Sequence, residues 1–325
     1  ASETEAQMSD GQAGKVEIAA VGAQRPEVME ALERHFIVHR VYEAADPLAL
    51  LREVGAGVRG VASHGMAGLS RAQIELMPNL EICAINGVGL ETTDLPACRE
   101  RNITVCTAPV LFDDVADLAV ALALAACRKI AMGDRFVREG SWQGGARLSL
   151  GRKLTGMRVG ILGLGRIGRE VAHRLAAFKT SISYYDPVRQ DVPYQYVDSA
   201  VALAKESDLL VLCAAGGPKG SPPLVPKEVI EALGPRGIFV NIARGWLVDE
   251  PALVDALVNG RLGAAGLDVF HDEPTVPEAL LRLDNVVLTP HVASSTEETM
   301  GAMGECVVGN LVDWFAGKGA RTPIG

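Results

Sequence analysis

The chain has 325 residues, 48% of them apolar and 22% charged, with a net charge of −9 and an isoelectric point near 5.3; that length suits about two globular domains. The acidic balance argues against nucleic acid and anionic membrane as partners, because nonspecific binding to either needs a surplus of Lys and Arg. Small molecules become the default.

The N-terminal stretch ASETEAQMSDGQAG has neither the basic nor the apolar segment of an export signal and reads as a polar tail. Leu118 to Cys127 is the longest clean apolar run, well short of the about 18 residues of a membrane span. Cys83, Cys98, Cys106, Cys127, Cys213 and Cys306 lie far apart, with no CxxC and no His at ligand spacing. Free thiols in a reducing cytoplasm, and no metal site, are the expectation.

From the N-terminal end, β-rich runs alternate with helical patterns: VEIAAVG then PEVMEALERHF, VRGVAS then RAQIELM, LEICAI then DLPACRERN, and ITVCTA. Such alternation predicts a parallel sheet with helices on both faces. Asp113 to Gly140 reads as one long helix, with Asp at its start and Gly at its end; its apolar character predicts burial, bridging two units or lying in a subunit interface. The strand–helix alternation restarts with RVGILGLG and continues through SISYYD, DLLVLCA, GIFVNIA, AAGLDVF and NVVLTP. Two doubly wound α/β units therefore share the chain. A last helical stretch with no strand after it is expected to return and cap the first unit.

Between RVGILGLG and its helix, Gly163, Gly165 and Gly168 form GxGxxG. The first glycine permits a tight turn, the second lets backbone approach a pyrophosphate, and the third lets helix and strand pack closely. Asp186 stands 18 residues past Gly168 at the end of the next strand, where an acid accepts hydrogen bonds from the ribose hydroxyls of NAD and repels a 2′-phosphate. Arg166 and Arg189 sit at the same rim and leave NADP open.

Three later residues lie just past strand ends, where ligands of open α/β sheets bind: Arg244 in FVNIARG, Glu273 in FHDEPTVPE and His291 in VVLTPHVASST. Reduction of a 2-oxo acid by hydride needs a cation for the carboxylate, a proton donor for the carbonyl oxygen, and a group that tunes the donor. A planar guanidinium at Arg244 suits the first. His291 suits the second, and a Glu273 carboxylate beside it would favour imidazolium and orient the ring. His271 is the rival donor. His64, in the Gly-rich stretch ASHGMAG, is a candidate substrate contact or a surface residue.

At VNIARGWLVDE, AGLDVFHDEP and NVVLTPHVAS, and again at NGVGLETTDL and DDVADLAVAL, the chain resembles the D-isomer-specific 2-hydroxyacid dehydrogenase family over nearly its whole length. Within it the likeness is to glyoxylate/hydroxypyruvate reductases and 2-ketogluconate reductases. The resemblance implies a Rossmann nucleotide-binding domain, 108–292, inserted into a flavodoxin-like substrate domain formed by 1–107 and 293–325. It implies a homodimer that reduces a small 2-oxo acid to its D-2-hydroxy acid with NAD(P)H. Arg244, Glu273 and His291 take the family's catalytic positions; Val88 and Gly89 the backbone amides that hold a carboxylate; and Gly163, Leu164, Gly165, Arg166, Ile167, Gly168, Asp186, Ala243 and Asp268 the cofactor contacts, with Asp268 facing the nicotinamide carboxamide. Relatives in that branch commonly carry Asn or Ser followed by Arg where this chain has DPVR, and prefer NADP(H), so the nucleotide is not settled by the likeness. A nicotinamide-sensing corepressor of the same superfamily is the alternative from a different functional class.

Overall fold

Along the first strand, β1 (Glu17–Ala20), Ile18 and Ala20 feed one apolar core while Ala19 and the following Val21 feed another. A strand buried on both faces belongs in a parallel sheet covered by helices, and the computed structural model, which describes residues 14–324, has that arrangement twice. The polar N-terminal tail read from the sequence lies outside the described residues, Gly14 apart.

One unit comprises the chain up to Leu111 and from Thr296 onward; the other is Phe112–Ser295, inserted between those two parts. Boundaries expected at 107/108 and 292/293 differ from these because each crossing leads into the first turn of a helix, at Phe112 and at the Thr296 cap.

In the first unit β1 is followed by α1 (Pro26–His35), β2 (Ile37–Arg40), α2 (Pro47–Val54), β3 (Val58–His64), α3 (Arg71–Glu75), β4 (Ile82–Asn86), α4 (Leu95–Glu100) and β5 (Thr104–Cys106). The helices start where the sequence supplies caps: Asp46 accepts from Ala49 N–H, Ser70 and Gln73 form a capping box, and Asp94 accepts from Ala97 N–H. Within the described residues the strands pair in parallel in the order β2-β1-β3-β4-β5, the flavodoxin-like winding. The helix Glu297–Phe315 returns onto this unit and packs against α1 and the sheet, with Val307 and Leu311 in the same core as Ile18 and Ala20.

The second unit holds α5 (Phe112–Arg128), α6 (Ile130–Arg138), β6 (Arg158–Leu162), α7 (Arg166–Ala176), β7 (Ser181–Tyr185), β8 (Gln195–Tyr196), α8 (Ala200–Glu206), β9 (Leu209–Leu212), α9 (Lys227–Leu233), β10 (Ile238–Asn241), α10 (Glu250–Val258), β11 (Ala264–Leu267), α11 (Glu278–Leu281) and β12 (Val286–Leu288). Its parallel order, β12-β11-β10-β9-β6-β7-β8, is the Rossmann 3-2-1-4-5-6 winding with one strand added.

The single long helix expected over Asp113–Gly140 is two. Lys129 adopts the left-handed conformation (φ 55°, ψ 41°) between α5 and α6, and Arg152 N–H takes the Cys127 carbonyl at 2.7 Å, so a returning segment ends α5. The buried face of α5 packs inside its own unit on α7 and on β10–β12; a Cβ at Gly266 of β11 would stand 2.9 Å from Leu122 Cβ. The burial anticipated for a bridge or a subunit interface is thus met within the unit.

Asn310 secures the C-terminal segment to the first unit. It is 1% exposed; its Nδ2 donates to Cys306 O and Thr322 Oγ1, both at 2.8 Å, and its Oδ1 accepts from Arg321 N at 2.8 Å and Thr322 N at 3.0 Å. Onward, Ile324 N–H donates to Val105 O at 2.9 Å on the sheet edge. Asn310→Ala strands two amides without an acceptor, so urea denaturation is expected to show a loss of about 2–4 kcal/mol.

Candidate active site

The glycine turn leaves β6 at its carboxyl end, beside the point where the strand order reverses between β6 and β9. Gly163 has φ 91°, and a Cβ there would stand 2.5 Å from Ala214 Cα. One at Gly168, the buried third glycine, would stand 2.1 Å from Gly163 O. At Gly165 the situation is opposite: a Cβ would point into open space, and Gly165 caps α7 with no side-chain acceptor for the helix amides. That is an open cradle at the positive end of an 11-residue helix, which suits a pyrophosphate.

Asp186 follows β7 and faces this turn: its Oδ2 accepts from Leu164 N–H at 2.9 Å and its Oδ1 from Val188 N–H at 3.2 Å. Arg166 lies 5.2 Å from the Phe112 ring centroid, while Arg189 is exposed, 5.8 Å from the Tyr196 ring centroid. The cradle and its acid therefore fit a dinucleotide, which Gly163, Leu164, Gly165, Arg166, Ile167, Gly168 and Asp186 could hold.

Arg244, Glu273 and His291 follow β10, β11 and β12 respectively. His291 Nδ1 and Glu273 Oε2 are 2.7 Å apart, with the glutamate 20% and the histidine 38% exposed. Glu273 Oε1 accepts from Phe270 N–H at 2.9 Å. Burial alone would raise the Glu273 carboxyl, but the hydrogen bonds from His291 and Phe270 N–H, with the charges of His291 and Arg244, outweigh it and hold the group below its ordinary value. Arg244 donates Nη1–H to Ala243 O at 2.8 Å and lies 6.0 Å from the Trp246 ring centroid. His271, the rival, pairs with Asp272 at 3.2 Å instead.

His291 is held by its backbone. Its φ is 52°, a conformation uncommon for His, and its N–H donates to Asp268 O at 2.8 Å. The buried Asp268 carboxylate accepts from Thr289 Oγ1 at 2.7 Å, Val292 N at 2.9 Å and Ala293 N at 3.0 Å. Burial raises its pKa, and those three donors and the His291 charge oppose the rise.

Two supports went unread in the sequence. Gly245 seats the turn after Arg244 directly on the Phe270–His271 peptide, where a Cβ would be 1.9 Å from Phe270 C, and Glu250 Oε1 accepts from His271 N–H at 2.9 Å. Both lie in RGWLVDE, but only the fold shows what they touch. In the first unit, His64 ends β3 half-buried, with its pKa lowered by burial, and Val88 and Gly89 lie in the loop after β4, also half-buried.

A family model described as D-isomer specific 2-hydroxyacid dehydrogenase, NAD binding domain, matches residues 120–293. The chain is 45% identical over 297 residues to a hydroxyphenylpyruvate reductase of Plectranthus scutellarioides, covering 91% of this chain and 94% of that one. It is 40% identical over 312 residues to a 2-ketogluconate reductase of Gluconobacter oxydans, covering 95% and 99%. Among solved structures, the NADPH-dependent glyoxylate/hydroxypyruvate reductase of Sinorhizobium meliloti, in complex with NADP and malonate, superposes with a TM-score of 0.88 at 39% identity, covering 96% and 97%.

The Glu273 carboxyl yields a pH test. A folded-state value below the ordinary 4.5 means that the carboxylate stabilises the fold above that pH and that the contribution is lost as pH falls through the folded value. Chemical denaturation of wild type and Glu273→Gln should show the wild-type advantage at pH 7 and its shrinkage below pH 4.5.

Proposed function

The chain belongs to the D-isomer-specific 2-hydroxyacid dehydrogenase family, and from that premise we propose that it reduces a small 2-oxo acid, such as glyoxylate, hydroxypyruvate or a related keto acid, to the D-2-hydroxy acid. The observation that carries the reading is the 2.7 Å contact between His291 Nδ1 and Glu273 Oε2. With Nδ1–H given to the carboxylate, Nε2–H is the proton left for the substrate's carbonyl oxygen. A reduced nicotinamide dinucleotide, held by its pyrophosphate at the glycine turn, would supply the hydride for C2. Arg244 neutralises the substrate carboxylate through its planar fork, and its charge also steadies Glu273 as a carboxylate. Glu273 in turn stabilises the imidazolium and fixes the ring's direction. Ala243 and Asp268 belong to the cofactor side of the proposal, and His64, Val88 and Gly89 to the substrate; those assignments rest on the resemblance. 2-Ketogluconate is the other substrate the relatives suggest.

For the nucleotide, the Asp186 carboxylate held at the turn favours NADH by repelling a 2′-phosphate, while the Sinorhizobium relative uses NADPH. A homodimer is supported by apolar side chains left open between 130 and 150: Ile130 is 55%, Val137 54%, Trp142 68% and Leu150 93% exposed, more than a solitary surface tends to leave together. Among the described residues no helix is long and apolar enough to cross a membrane; a cytoplasmic location is proposed on the six unpaired cysteines.

His291→Asn, which suits the left-handed backbone, is expected to lower kcat for glyoxylate by about 10²- to 10⁴-fold, with NADH binding retained by fluorescence titration. Asp186→Ser should raise kcat/KM with NADPH relative to NADH; an unchanged ratio would count against the ribose reading.

A further inference from the structure

The turn DPVR after β7 carries an acid and a base, Asp186 and Arg189, and the fold sends them to opposite flanks of that strand. Asp186 leans toward β6, where its Oδ2 takes the Leu164 N–H of the glycine turn. Arg189 lies 5.8 Å from the Tyr196 ring centroid, and Tyr196 belongs to β8, which stands on the far side of β7 from β6. Close in sequence, the two charges diverge at the strand end.

A buried phenol holds them so. Tyr184 is 0% exposed, and its hydroxyl donates to Gln190 O at 3.0 Å and accepts from Gln190 N–H at 2.8 Å. Donor and acceptor are thus both committed to the backbone of one residue, which closes the chain from β7 through Gln190 into a short loop. The Tyr184 ring packs edge-on against Tyr196, its register partner on β8, with centroids 5.5 Å apart. The same tyrosine therefore fixes both the loop that carries Arg189 and the ring beside it.

The Gln190 side chain adds a second tether. Its Oε1 accepts from Arg169 Nη2 of α7 at 2.7 Å and its Nε2 donates to Val188 O at 3.0 Å, while Asp186 Oδ1 takes the Val188 N–H at 3.2 Å. Pro187, between Asp186 and Val188, has its φ fixed by its own ring. Arg189 is bracketed by two residues whose backbone is held. An exposed contact between a cation and a ring is worth only about two- to fivefold in population, so the tethers rather than Tyr196 decide where Arg189 stays.

We propose that Tyr184 is a positioning residue for the choice of nucleotide: through Gln190 its hydroxyl keeps Arg189 on the β8 flank, away from the adenosine ribose that Asp186 meets. A 2′-phosphate then faces the acid without the Arg189 guanidinium to offset it. Release of the turn lets Arg189 swing toward that phosphate, which a planar guanidinium binds well. The inference rests on the reading of Asp186 as the ribose contact.

The test is the ratio of the Kd values for NADPH and NADH, measured by fluorescence titration of the full chain without substrate. Wild type is expected to bind NADH more tightly. Tyr184→Phe keeps the ring and removes only the hydroxyl; it should tighten NADPH binding and lower the ratio by about 5- to 20-fold. Adding Arg189→Ala to that variant should cancel the gain. Gln190→Ala, which leaves the core intact should Tyr184→Phe fail to fold, is expected to lower the ratio by about two- to fivefold. A tyrosine that merely stabilised the fold would weaken both nucleotides in step, so an unmoved ratio in both variants overturns the inference, as does a gain that survives without Arg189. Wild type that binds NADPH as tightly as NADH overturns the Asp186 reading and this inference together, whereas an NADH preference that neither variant moves overturns this inference alone.

Discussion

A buried carboxylate with three donors aimed at it is the constraint on which the site depends. Asp268 is fully buried at the end of β11, and an isolated charge there would be prohibitively costly. Thr289 Oγ1 and the N–H groups of Val292 and Ala293 meet that cost, and in doing so they wrap the 289–293 segment around it. His291 is caught in the middle of the wrap, with its own N–H on the Asp268 carbonyl and its φ at 52°. The imidazole then reaches Glu273 because the chain on either side has nowhere else to go. Remove the three donors and no reason remains for a histidine to adopt that backbone.

The glutamate is positioned by a second, independent set of contacts. Its loop is gripped at Phe270 and His271: Gly245 lies against the peptide between them, Glu250 takes the His271 N–H and Glu273 itself the Phe270 N–H. Because Gly245 is also the residue after Arg244, the seating of this one peptide sets the Arg244 turn and the Glu273 loop together. Three strand ends thus deliver a cation, an anion and a titratable ring to one place, and the charges support one another there.

Sequence patterns made the units legible because parallel strands buried on both faces are continuous apolar runs, and GxGxxG with Asp186 has a spacing set by the turn and helix it builds. Less was visible where tertiary contacts decide. β2 was unread, its IVHR short and only half-buried, and the break at Lys129 has no glycine or proline to announce it; a distant Arg152 amide makes it. Of the site, Arg244, Glu273 and His291 could be named from their places after apolar runs. Glu250 could not, since an acid in a helix's first turn has an ordinary local role, and only its partner, the His271 N–H, marks it out.

In the proposed reaction everything converges on the His291 imidazole, which carries the proton that completes reduction. Chemical rescue measures this most directly. His291→Gly keeps the left-handed backbone, for which glycine is suited, and removes only the ring. Glyoxylate reduction by this variant, depressed without additive, should recover as imidazole is added, in proportion to the imidazolium present. Undiminished turnover of the variant without imidazole would show that the His291 ring is not the proton donor.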